Sequence, residues 1–296
     1  MNSNPDPTQL KSSESENFYL AFENCYRGSA ELIQKRQAVY IPYVTALKTF
    51  YPTLKVLDLG CGRGEWLGLL KKNGIDASGI DLDDAILASC KQKQFEVKKH
   101  DALGALKELP DASLQVITGF HIAEHLPFTQ LLELCKEAHR VLSADGLLIL
   151  ETPNSENIHV ASSTFHLDPT HSTPLPSKLL TFLMEFVGFS RSVQIGLNPD
   201  ISVDAGSHVS LQNVLLSGVS RDYAVIGQKA GNSDEMRILL DSIHVNNVSS
   251  LEVLVDRFDM QLAQAYALLQ DQQRRVTRLE APLRFLKKLF APFFKK

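Results

Sequence analysis

Three glycines alternate with other residues shortly after an acidic residue near position 60. The acid is Asp58, and Gly60, Gly62 and Gly64 occupy every second position after it. Glycine permits backbone angles and close approaches that a Cβ atom would block, so such a loop can lie directly against a bound molecule. The alternative interpretation is a tight turn between a strand and a helix, because a glycine repeat alone is a weak signal.

Two further acids end the next two strand-like runs. Asp81 ends the run 77–81, about twenty residues after the first glycine, where an open α/β sheet places a carboxylate that accepts both ribose hydroxyls of a cofactor. Asp101 follows the run 95–99. Together with the glycines, these acids favour a nucleoside-type cofactor at the carboxyl end of the first strand.

The elements that must position these residues are a short strand and a helix. The run 55–59 holds too few apolar residues for a helix but enough for a buried parallel strand. Apolar residues then recur at helical spacing from 66 to 70, and the polar stretch 71–74 closes the pattern. We therefore predict a strand, a glycine loop and a helix that begins at about residue 65.

These residues resemble the cofactor signature of class I S-adenosylmethionine-dependent methyltransferases, with D-x-G-x-G-x-G at 58–64, G-I-D at 79–81 and D-A at 101–102. Dinucleotide-binding proteins instead use G-x-G-x-x-G, and the third glycine here comes one residue early. The resemblance covers roughly residues 17–230. It implies a Rossmann-like, seven-stranded α/β sheet with an N-terminal helical lid, and S-adenosyl-L-methionine as the cofactor.

The resemblance also implies which residues bind the cofactor. The glycine loop lines its methionine end, Asp81 takes the ribose diol, and Asp101 with the amide of Ala102 faces the adenine. The full expected set is Asp58, Gly60, Cys61, Gly62, Gly64, Asp81, Leu82, Asp101, Ala102, Phe120 and Arg27. Arg27 lies in the lid beside a glycine turn, and the alternative is that the lid aromatics pack onto the sheet while its arginines are solvated.

Further elements follow from apolar spacing and from turn residues. We predict a lid helix over 30–43 with Ser29 as its N-cap. The remaining predictions are a strand over 111–118, a helix over 128–142, a turn at 143–146, a strand over 147–151, a loop from 152 to 174, a helix over 179–187, and strands over 190–196 and 223–229.

Histidines and an acid beyond the fourth strand could carry the chemistry. Methyl transfer from a sulfonium is an in-line displacement, and a hydroxyl acceptor must also lose its proton to a general base. In the family, the stretch after the fourth strand lies beside the transferring methyl group, which makes His121 the first candidate. His171 and Asp168, in the predicted acceptor loop, come next. For each residue a structural role is the alternative, and for His125 we expect such a role, as a bond between this loop and the lid.

The same stretch contains the spacing H-x-x-E-H at 121–125, which also occurs in a class of zinc peptidases. Here the motif follows a strand, and Pro127 interrupts it after one turn, which does not suit that class. A divalent metal bound by Glu124 and His125 is a second interpretation. Our prediction is that the site has no metal ligands.

Composition excludes several classes of protein. The chain has 296 residues, 44% of them hydrophobic, enough for one α/β core and a smaller appendage. A net charge of −4 gives no basic field for nucleic acid. Four scattered cysteines without a C-x-x-C pair suit reduced thiols, and no apolar run has the length of a membrane span. The polar N-terminus does not resemble a signal peptide, so we expect a cytoplasmic protein whose residues 1–16 are disordered.

The tail after residue 230 has a different pattern. We predict a linker at 231–247 and a coiled coil at 248–281, because apolar residues alternate at spacings of four and three from Leu251 to Leu279. Gln272 is the polar exception, and Pro282 is expected to end the helix. Such a seam predicts a homo-oligomer; the alternative is a helix that folds back on the domain.

The last segment, 282–296, is basic and rich in phenylalanine and leucine. Because it is too short to cross a bilayer, we expect it to lie in the headgroup layer of an anionic membrane. Docking onto a protein partner is the alternative.

These features together predict an O-methyltransferase on the inner face of a bacterial membrane. The arrangement resembles methyltransferases that act in cell-surface polysaccharide assembly, so the predicted acceptor is a sugar of a lipid-linked surface glycan of the O-antigen type, in lipopolysaccharide biosynthesis. A quinone or another small membrane-associated acceptor is one alternative. The other is a non-catalytic scaffold that retains the fold, against which the intact glycines and acids argue.

Overall fold

A sheet of seven strands in the order β3-β2-β1-β4-β5-β7-β6 forms the centre of the computed structural model, which describes residues 28–199, 206–231 and 250–290. Strands β1 to β5 are parallel, whereas β7 runs antiparallel between β5 and β6. The strands are β1 Val56–Leu59, β2 Ala77–Asp81, β3 Glu96–Lys99, β4 Leu114–Phe120, β5 Leu142–Pro153, β6 Arg191–Leu197 and β7 Asp222–Gln228. This arrangement confirms the predicted seven-stranded α/β sheet.

Helices cover both faces of the sheet. They are α1 Ala30–Gln37, α2 Ile41–Ala46, α3 Glu65–Lys72, α4 Asp84–Gln92, α5 Ala102–Glu108, α6 Phe128–Val141, α7 Ile158–Ser162, α8 Ser177–Phe186 and α9 Leu251–Phe290. One apolar core lies between the sheet and α5, α6 and α8, and a second lies under α2 and α3. Central strands such as β1 are buried along their whole length, which is why they read in the sequence as apolar runs.

The starts of α1 and α3 agree with the predictions made from short sequence patterns. The helix after the glycine loop begins at Glu65, as predicted. Ser29 caps α1, because the amide of Leu32 donates to its Oγ at 3.2 Å. The lid helix predicted over 30–43 is instead divided into α1 and α2 by a 3₁₀ turn at Ala38–Tyr40. Side chains of α1 reach α3, since Gln34 Nε2 donates to the carbonyl of Glu65 at 3.3 Å.

Two of the predicted boundaries are wrong. The segment 143–146, predicted as a turn, belongs to β5, where an irregularity in the pairing with β4 accommodates the extra residues. Asp145 adopts a left-handed conformation there, with φ of 57°. The predicted loop 152–174 also contains α7 and a 3₁₀ turn at Thr164–Leu167. Both pieces are too short to show a helical period in the sequence.

The tail helix is longer than predicted. Pro282 lies inside α9, which continues to Phe290. Proline removes one N–H donor from a helix of 40 residues, while strong helix formers such as Ala281 and Leu283 flank it. None of the helices in the described parts of the chain has the length and apolarity to cross a membrane. The predictions for residues 1–16, for Arg27, for 291–296 and for the linker beyond Gly231 lie outside the described residues.

Candidate active site

The glycine loop leaves the carboxyl end of β1 with all three of its glycines in left-handed conformations. The φ angles are 67° at Gly60, 49° at Gly62 and 77° at Gly64. A Cβ atom on Gly64 would lie 2.7 Å from the ring of Phe95, so this position needs glycine for space as well as for conformation. The amide of Cys61 donates to the carbonyl of Ile80 at 2.8 Å and ties the loop to β2.

Asp81, at the end of β2, is held against this loop. Its Oδ2 accepts a hydrogen bond from the amide of Gly62 at 2.9 Å, and its Oδ1 accepts one from the amide of Asp83 at 3.0 Å. The next side chain, Leu82, is 65% exposed. An oriented carboxylate and an uncovered apolar side chain therefore lie together at the mouth of the loop.

The other two predicted acids have structural partners. Asp58 is buried, and its Oδ1 accepts a hydrogen bond from Thr118 Oγ1 of β4 at 2.7 Å. Asp101 is exposed and caps α5 by accepting from the amide of Gly104 at 2.7 Å. Ala102, the first residue of α5, is half-buried. The structure thus places Asp58 beneath the glycine loop and Asp101 at the neighbouring strand end.

Two further residues predicted to bind the cofactor are Cys61, in the glycine loop, and Phe120, the last residue of β4. Cys61 is buried, and a hydrogen bond with Cys90, together with burial, raises the pKa of its thiol. A raised pKa makes the thiol a weaker nucleophile, so no redox role is assigned to Cys61. Phe120 packs against Trp66 at 5.5 Å and against Tyr40 at 5.3 Å between ring centroids. These contacts fix the end of β4 against α3 and the lid.

The residue after β4, His121, lies between two carboxylates. Its backbone is left-handed, with φ of 55°, which is uncommon for a residue with a side chain. Nδ1 lies 3.2 Å from Glu124 Oε1, and Nε2 lies 3.5 Å from Glu151 Oε1. Tyr40 OH donates to the other oxygen of Glu151 at 2.5 Å.

Both ring nitrogens of His121 therefore face acceptors. The surrounding protein partly desolvates the ring, which works against its charge although 45% of the side chain is exposed, but the hydrogen bonds to Glu124 and Glu151 outweigh this and hold the pKa of His121 well above its usual value. The pKa of Glu124, which burial alone would raise, is lowered by His121. At neutral pH the ring is an imidazolium without a free lone pair. A protonated ring cannot take up a further proton, and the role of His121 as the general base stays a prediction.

His171 has the opposite environment. Its Nδ1 lies 2.7 Å from the carbonyl of Phe165, to which it donates, so Nε2 is the nitrogen left with a lone pair. Nε2 lies 4.0 Å from Glu124 Oε1 and 3.9 Å from Asp168 Oδ2, too far for hydrogen bonds. Burial lowers the pKa of His171. Its ring is neutral at neutral pH and can accept a proton.

Asp168 and His125 are connected through Thr170. Asp168 Oδ1 accepts from Thr170 Oγ1 at 2.6 Å and from the Thr170 amide at 2.8 Å. Although burial raises the pKa of Asp168, these two hydrogen bonds outweigh it and the pKa is lowered. Because the Thr170 hydroxyl donates to Asp168, it accepts from His125 Nδ1 at 2.9 Å. The His125 ring lies 4.7 Å from that of His171. His125 thus has the structural contacts expected of it, although to the acceptor loop.

Sequence comparisons and structural comparisons agree on the family. A family model described as a methyltransferase domain matches residues 32–190. A solved S-adenosylmethionine-dependent methyltransferase from Archaeoglobus fulgidus is 32% identical, with a TM-score of 0.62 over 72% of this chain and 100% of the other.

The chain belongs to the S-adenosylmethionine-dependent methyltransferases.

Curated relatives of this methyltransferase are matched over part of their length. A probable S-adenosylmethionine-dependent methyltransferase of Mycolicibacterium smegmatis is 32% identical over 143 residues, which is 48% of this chain and 54% of the relative. A ubiquinone biosynthesis O-methyltransferase of Pseudomonas aeruginosa is 29% identical over 106 residues, or 34% of this chain and 44% of the relative. The chain thus spans about half the length of the first of these curated relatives.

Family membership implies S-adenosylmethionine as the cofactor of this methyltransferase, and the residues of the loop fit it. The left-handed glycines keep side chains away from the loop surface, the aligned Asp81 carboxylate suits a diol, and the exposed Leu82 suits a flat apolar ring. The individual roles of these residues stay predictions. Arg27 is not described, but its neighbour Gly28 reaches the loop, since its carbonyl accepts from Arg63 at 3.0 Å.

The structure also adds residues to the methyltransferase site that the sequence did not identify. Glu151 ends the predicted strand 147–151. An acid at the end of a strand was the signal that identified Asp81, and the same signal could have identified Glu151. Tyr40 and Asp222 gave no local signal. Ligand atoms of Glu124, His125 and His171 lie within 4.8 Å of one another, as do those of His121, Glu151 and Asp222. The expectation of a site without metal ligands stays a prediction.

Proposed function

We propose that this protein transfers a methyl group to a hydroxyl oxygen and that His171 is the general base for that hydroxyl. The observation that carries the proposal is the geometry of the His171 ring, whose Nδ1 is fixed by a carbonyl and whose Nε2 lies about 4 Å from two carboxylates. A hydroxyl requires such a base, because its own proton must leave as the new bond forms.

The residues that follow β4, among them His121 and Glu124, lie next to the glycine loop. Leu59, the last residue of β1, pairs with Gly119 of β4, two residues before His121. A Cβ atom on Gly60 would lie 3.5 Å from the side chain of Ile122, so the glycine loop and the residues that follow β4 are neighbours. A hydroxyl near His171 and a donor near Gly60 would therefore share one site.

Bound S-adenosylmethionine supplies a methyl group on a positively charged sulfur. The chain holds this cofactor through the glycine loop and Asp81, and it handles the acceptor proton through His171. Nε2 accepts the proton, while the Phe165 carbonyl keeps Nδ1 as the protonated nitrogen. The carboxylates of Glu124 and Asp168, each about 4 Å away, stabilise the resulting imidazolium.

His121 acts in this proposal as a positioning residue. Its imidazolium bonds Glu124, whose other oxygen accepts from Thr152 Oγ1 at 2.9 Å. The fully buried Glu124 is thereby kept as an anion in a fixed orientation. The two histidines therefore share one oxygen of that anion, since Glu124 Oε1 lies 3.2 Å from His121 Nδ1 and 4.0 Å from His171 Nε2.

For the acceptor we propose a sugar hydroxyl of a lipid-linked surface glycan at the inner membrane face. Support comes from the end of α9, where Arg284, Lys287 and Lys288 accompany Phe285, which is 65% exposed. Basic and aromatic side chains together favour anionic lipid surfaces. A glycan chain displays many hydroxyl groups, each of which requires deprotonation before methylation.

A phenolic quinone precursor is the second candidate acceptor. It is favoured by the similarity to the Pseudomonas aeruginosa ubiquinone biosynthesis O-methyltransferase. A phenol is more acidic than a sugar hydroxyl, so it depends less on a base such as His171. Family membership and the complete glycine loop argue against a non-catalytic scaffold.

The test uses the full-length protein, donor carrying a labelled methyl group, and lipid extracts from a strain that lacks this gene. Label in the lipid-linked glycan fraction is the expected result, and mass spectrometry of the surface glycan should show the mutant lacking one methylene mass. Label in the quinone fraction alone would transfer the proposal to the second candidate. Donor binding by calorimetry without label in either fraction would contradict both acceptors.

A further inference from the structure

Only the first turns of α9 pack on the rest of the described chain. Leu254 is fully buried with Val209, Val214 and Val219, and Leu251 and Phe258 cover this cluster. Two polar contacts secure the same turns. Arg257 donates to the carbonyl of Ser207 at 2.8 Å, and Gln261 Oε1 accepts from the amide of Val209 at 3.1 Å.

From Leu262 to Lys288 the described helix faces solvent. All side chains in this stretch are exposed except that of Glu280, which is half-buried. The apolar stripe is among them, with Leu269 at 51%, Val276 at 53% and Leu279 at 75% exposure. At about 1.5 Å per residue, 262–290 extends roughly 40 Å beyond the docked turns.

The spacing of four and three continues through Pro282. The exposed seam, as we name it, consists of Leu262, Ala265, Leu269, Gln272, Val276, Leu279, Leu283 and Leu286. Pro282 itself lies outside the seam, immediately before Leu283. Because the helix continues through Pro282, Leu283 and Leu286 belong to the same stripe. The sequence pattern instead predicts that both residues lie in a separate membrane segment.

We propose that the exposed seam pairs with the same seam of a second copy, in a parallel two-stranded coiled coil. A repeat of 3.5 residues keeps one stripe facing a partner only when two helices supercoil, and helices in proteins gain most of their stability by packing such an apolar face. The a positions of the seam are Leu262, Leu269, Val276 and Leu283, and the d positions are Ala265, Gln272, Leu279 and Leu286. A β-branched residue at a with leucine at d, as at Val276 and Leu279, is the pattern that favours two strands.

Charge complementarity favours a second copy in parallel. In a parallel pair, the residue before each a position faces the partner residue five positions later. Arg275 then faces Glu280 of the other helix, an attractive pair, and the other such pairs in 261–287 contain no like charges. The two Gln272 side chains meet at the same level, where their amides can bond each other and fix the register.

Pairing also places the residues at the end of α9 on two different surfaces of the coiled coil. Leu283 and Leu286 turn toward the partner helix, whereas Phe285 and Lys288 lie on the outer surface of the pair. The membrane proposal made above then depends on the outer residues alone, so the two surfaces can be mutated separately.

The first test is sedimentation of the full-length protein. The expected mass is twice the 32.9 kDa of one chain. Leu269→Glu with Val276→Glu places two charges in the seam and should weaken the dimer by about a hundredfold or more. The matched control, Met260→Glu with Ala281→Glu, carries the same charges on the opposite face of the helix and should remain dimeric. A monomeric wild type, or equal dissociation of both variants, overturns the proposal.

The second test examines register and length. In a Cys25→Ser background, Gln272→Cys should oxidise to a covalent dimer at least about tenfold faster than Arg274→Cys, two residues away from the seam. Leu286→Glu should weaken dimerisation, and the adjacent Phe285→Glu should not. If Leu286→Glu leaves the dimer intact and instead abolishes sedimentation with anionic vesicles, the seam ends before Pro282 and the extension is wrong.

Discussion

Two histidines of the site show how much the chemistry of one residue type depends on its surroundings. His121 contacts carboxylates through both ring nitrogens and is held as a cation. His171 donates one N–H to a carbonyl and is kept neutral by burial. A sequence shows only that both are histidines. Which of them can accept a proton is decided by acceptors that come from other parts of the chain.

This difference predicts the pH dependence of methyl transfer. With His171 as the base, kcat/KM should rise with pH through an apparent pKa below about 6.5, the usual value for histidine, and then stay level to pH 9. The sign follows from the neutral ring being the active form and from burial lowering its pKa. If His121 were the base, the rise would continue well above neutral pH, because the pKa of His121 is raised.

Replacing the base should affect turnover but leave donor binding unchanged. His171→Gln should lower kcat by about 10² to 10⁴. His166→Gln is the control, since the exposed His166 lies in the same segment and bonds only a backbone carbonyl in the described contacts. A measured kcat of His171→Gln close to that of His166→Gln would contradict the assignment.

Asp81 should determine affinity for the donor. Asp81→Asn removes one acceptor and the negative charge opposite the expected ribose hydroxyls, so calorimetry should show about a tenfold to hundredfold weaker binding of S-adenosylmethionine. Asp76→Asn offers a matched control on the exposed amino-terminal side of the same strand, where no effect is expected. Equal affinities for the two variants would place the donor elsewhere.

At the level of elements, the glycine loop combines left-handed backbone conformations with tight packing around Gly64. Gly64→Ala should lower the free energy of unfolding by about 3 kcal/mol, because a left-handed alanine is strained and its methyl group meets the Phe95 ring. In Gly74→Ala the backbone is also left-handed, with φ of 63°, but the nearest atom is 3.9 Å away, so about 1 kcal/mol is expected. Chemical denaturation measures both. Equal losses would show that the contact with Phe95 is unimportant.

The elements that were predictable from the sequence have local causes. The strand β1, its loop and the start of α3 follow from a short apolar run, three glycines and a helical period within twenty residues. The start of β5 was not predictable, because the residues of 143–146 that suggest a turn also build an irregular strand. Proline usually ends a helix, and only the helical residues beyond Pro282 show that it does not do so here.

The left-handed glycine loop and the position of Asp81 beside it were predictable for the same reason, and the arrangement of side chains around His121 was not. Glu151 and Asp222 are far apart in the sequence and meet around His121 because β5 lies between β4 and β7 in the sheet. Tyr40 reaches the same place from the 3₁₀ turn between α1 and α2, where it donates to Glu151. No spacing of residues encodes that order of strands. The histidines of the site could be named from the sequence, but the tautomer and charge of each could not.

At the scale of the whole molecule, the tail helix is connected to the acceptor loop through a few contacts. Leu254 packs against Val219, whose carbonyl accepts from Asn157 Nδ2 at 2.8 Å. The Asn157 side chain also caps α7, since its Oδ1 accepts from the amide of Val160 at 3.1 Å. From α7 the chain leads into the segment that carries Asp168 and His171. Loosening the base of α9 should therefore disturb the acceptor half and leave the glycine loop intact.

Leu254→Ala tests this connection. Removing a fully buried leucine side chain should lower the free energy of unfolding by about 2–5 kcal/mol. Because the lost contact supports Val219 and through it α7, the KM for the acceptor should rise while the donor dissociation constant stays the same. Val253→Ala is the control, since Val253 is the preceding residue and is 48% exposed. A parallel loss of donor affinity in Leu254→Ala would mean that the whole domain loosens, and that the tail helix has no specific connection to the acceptor loop.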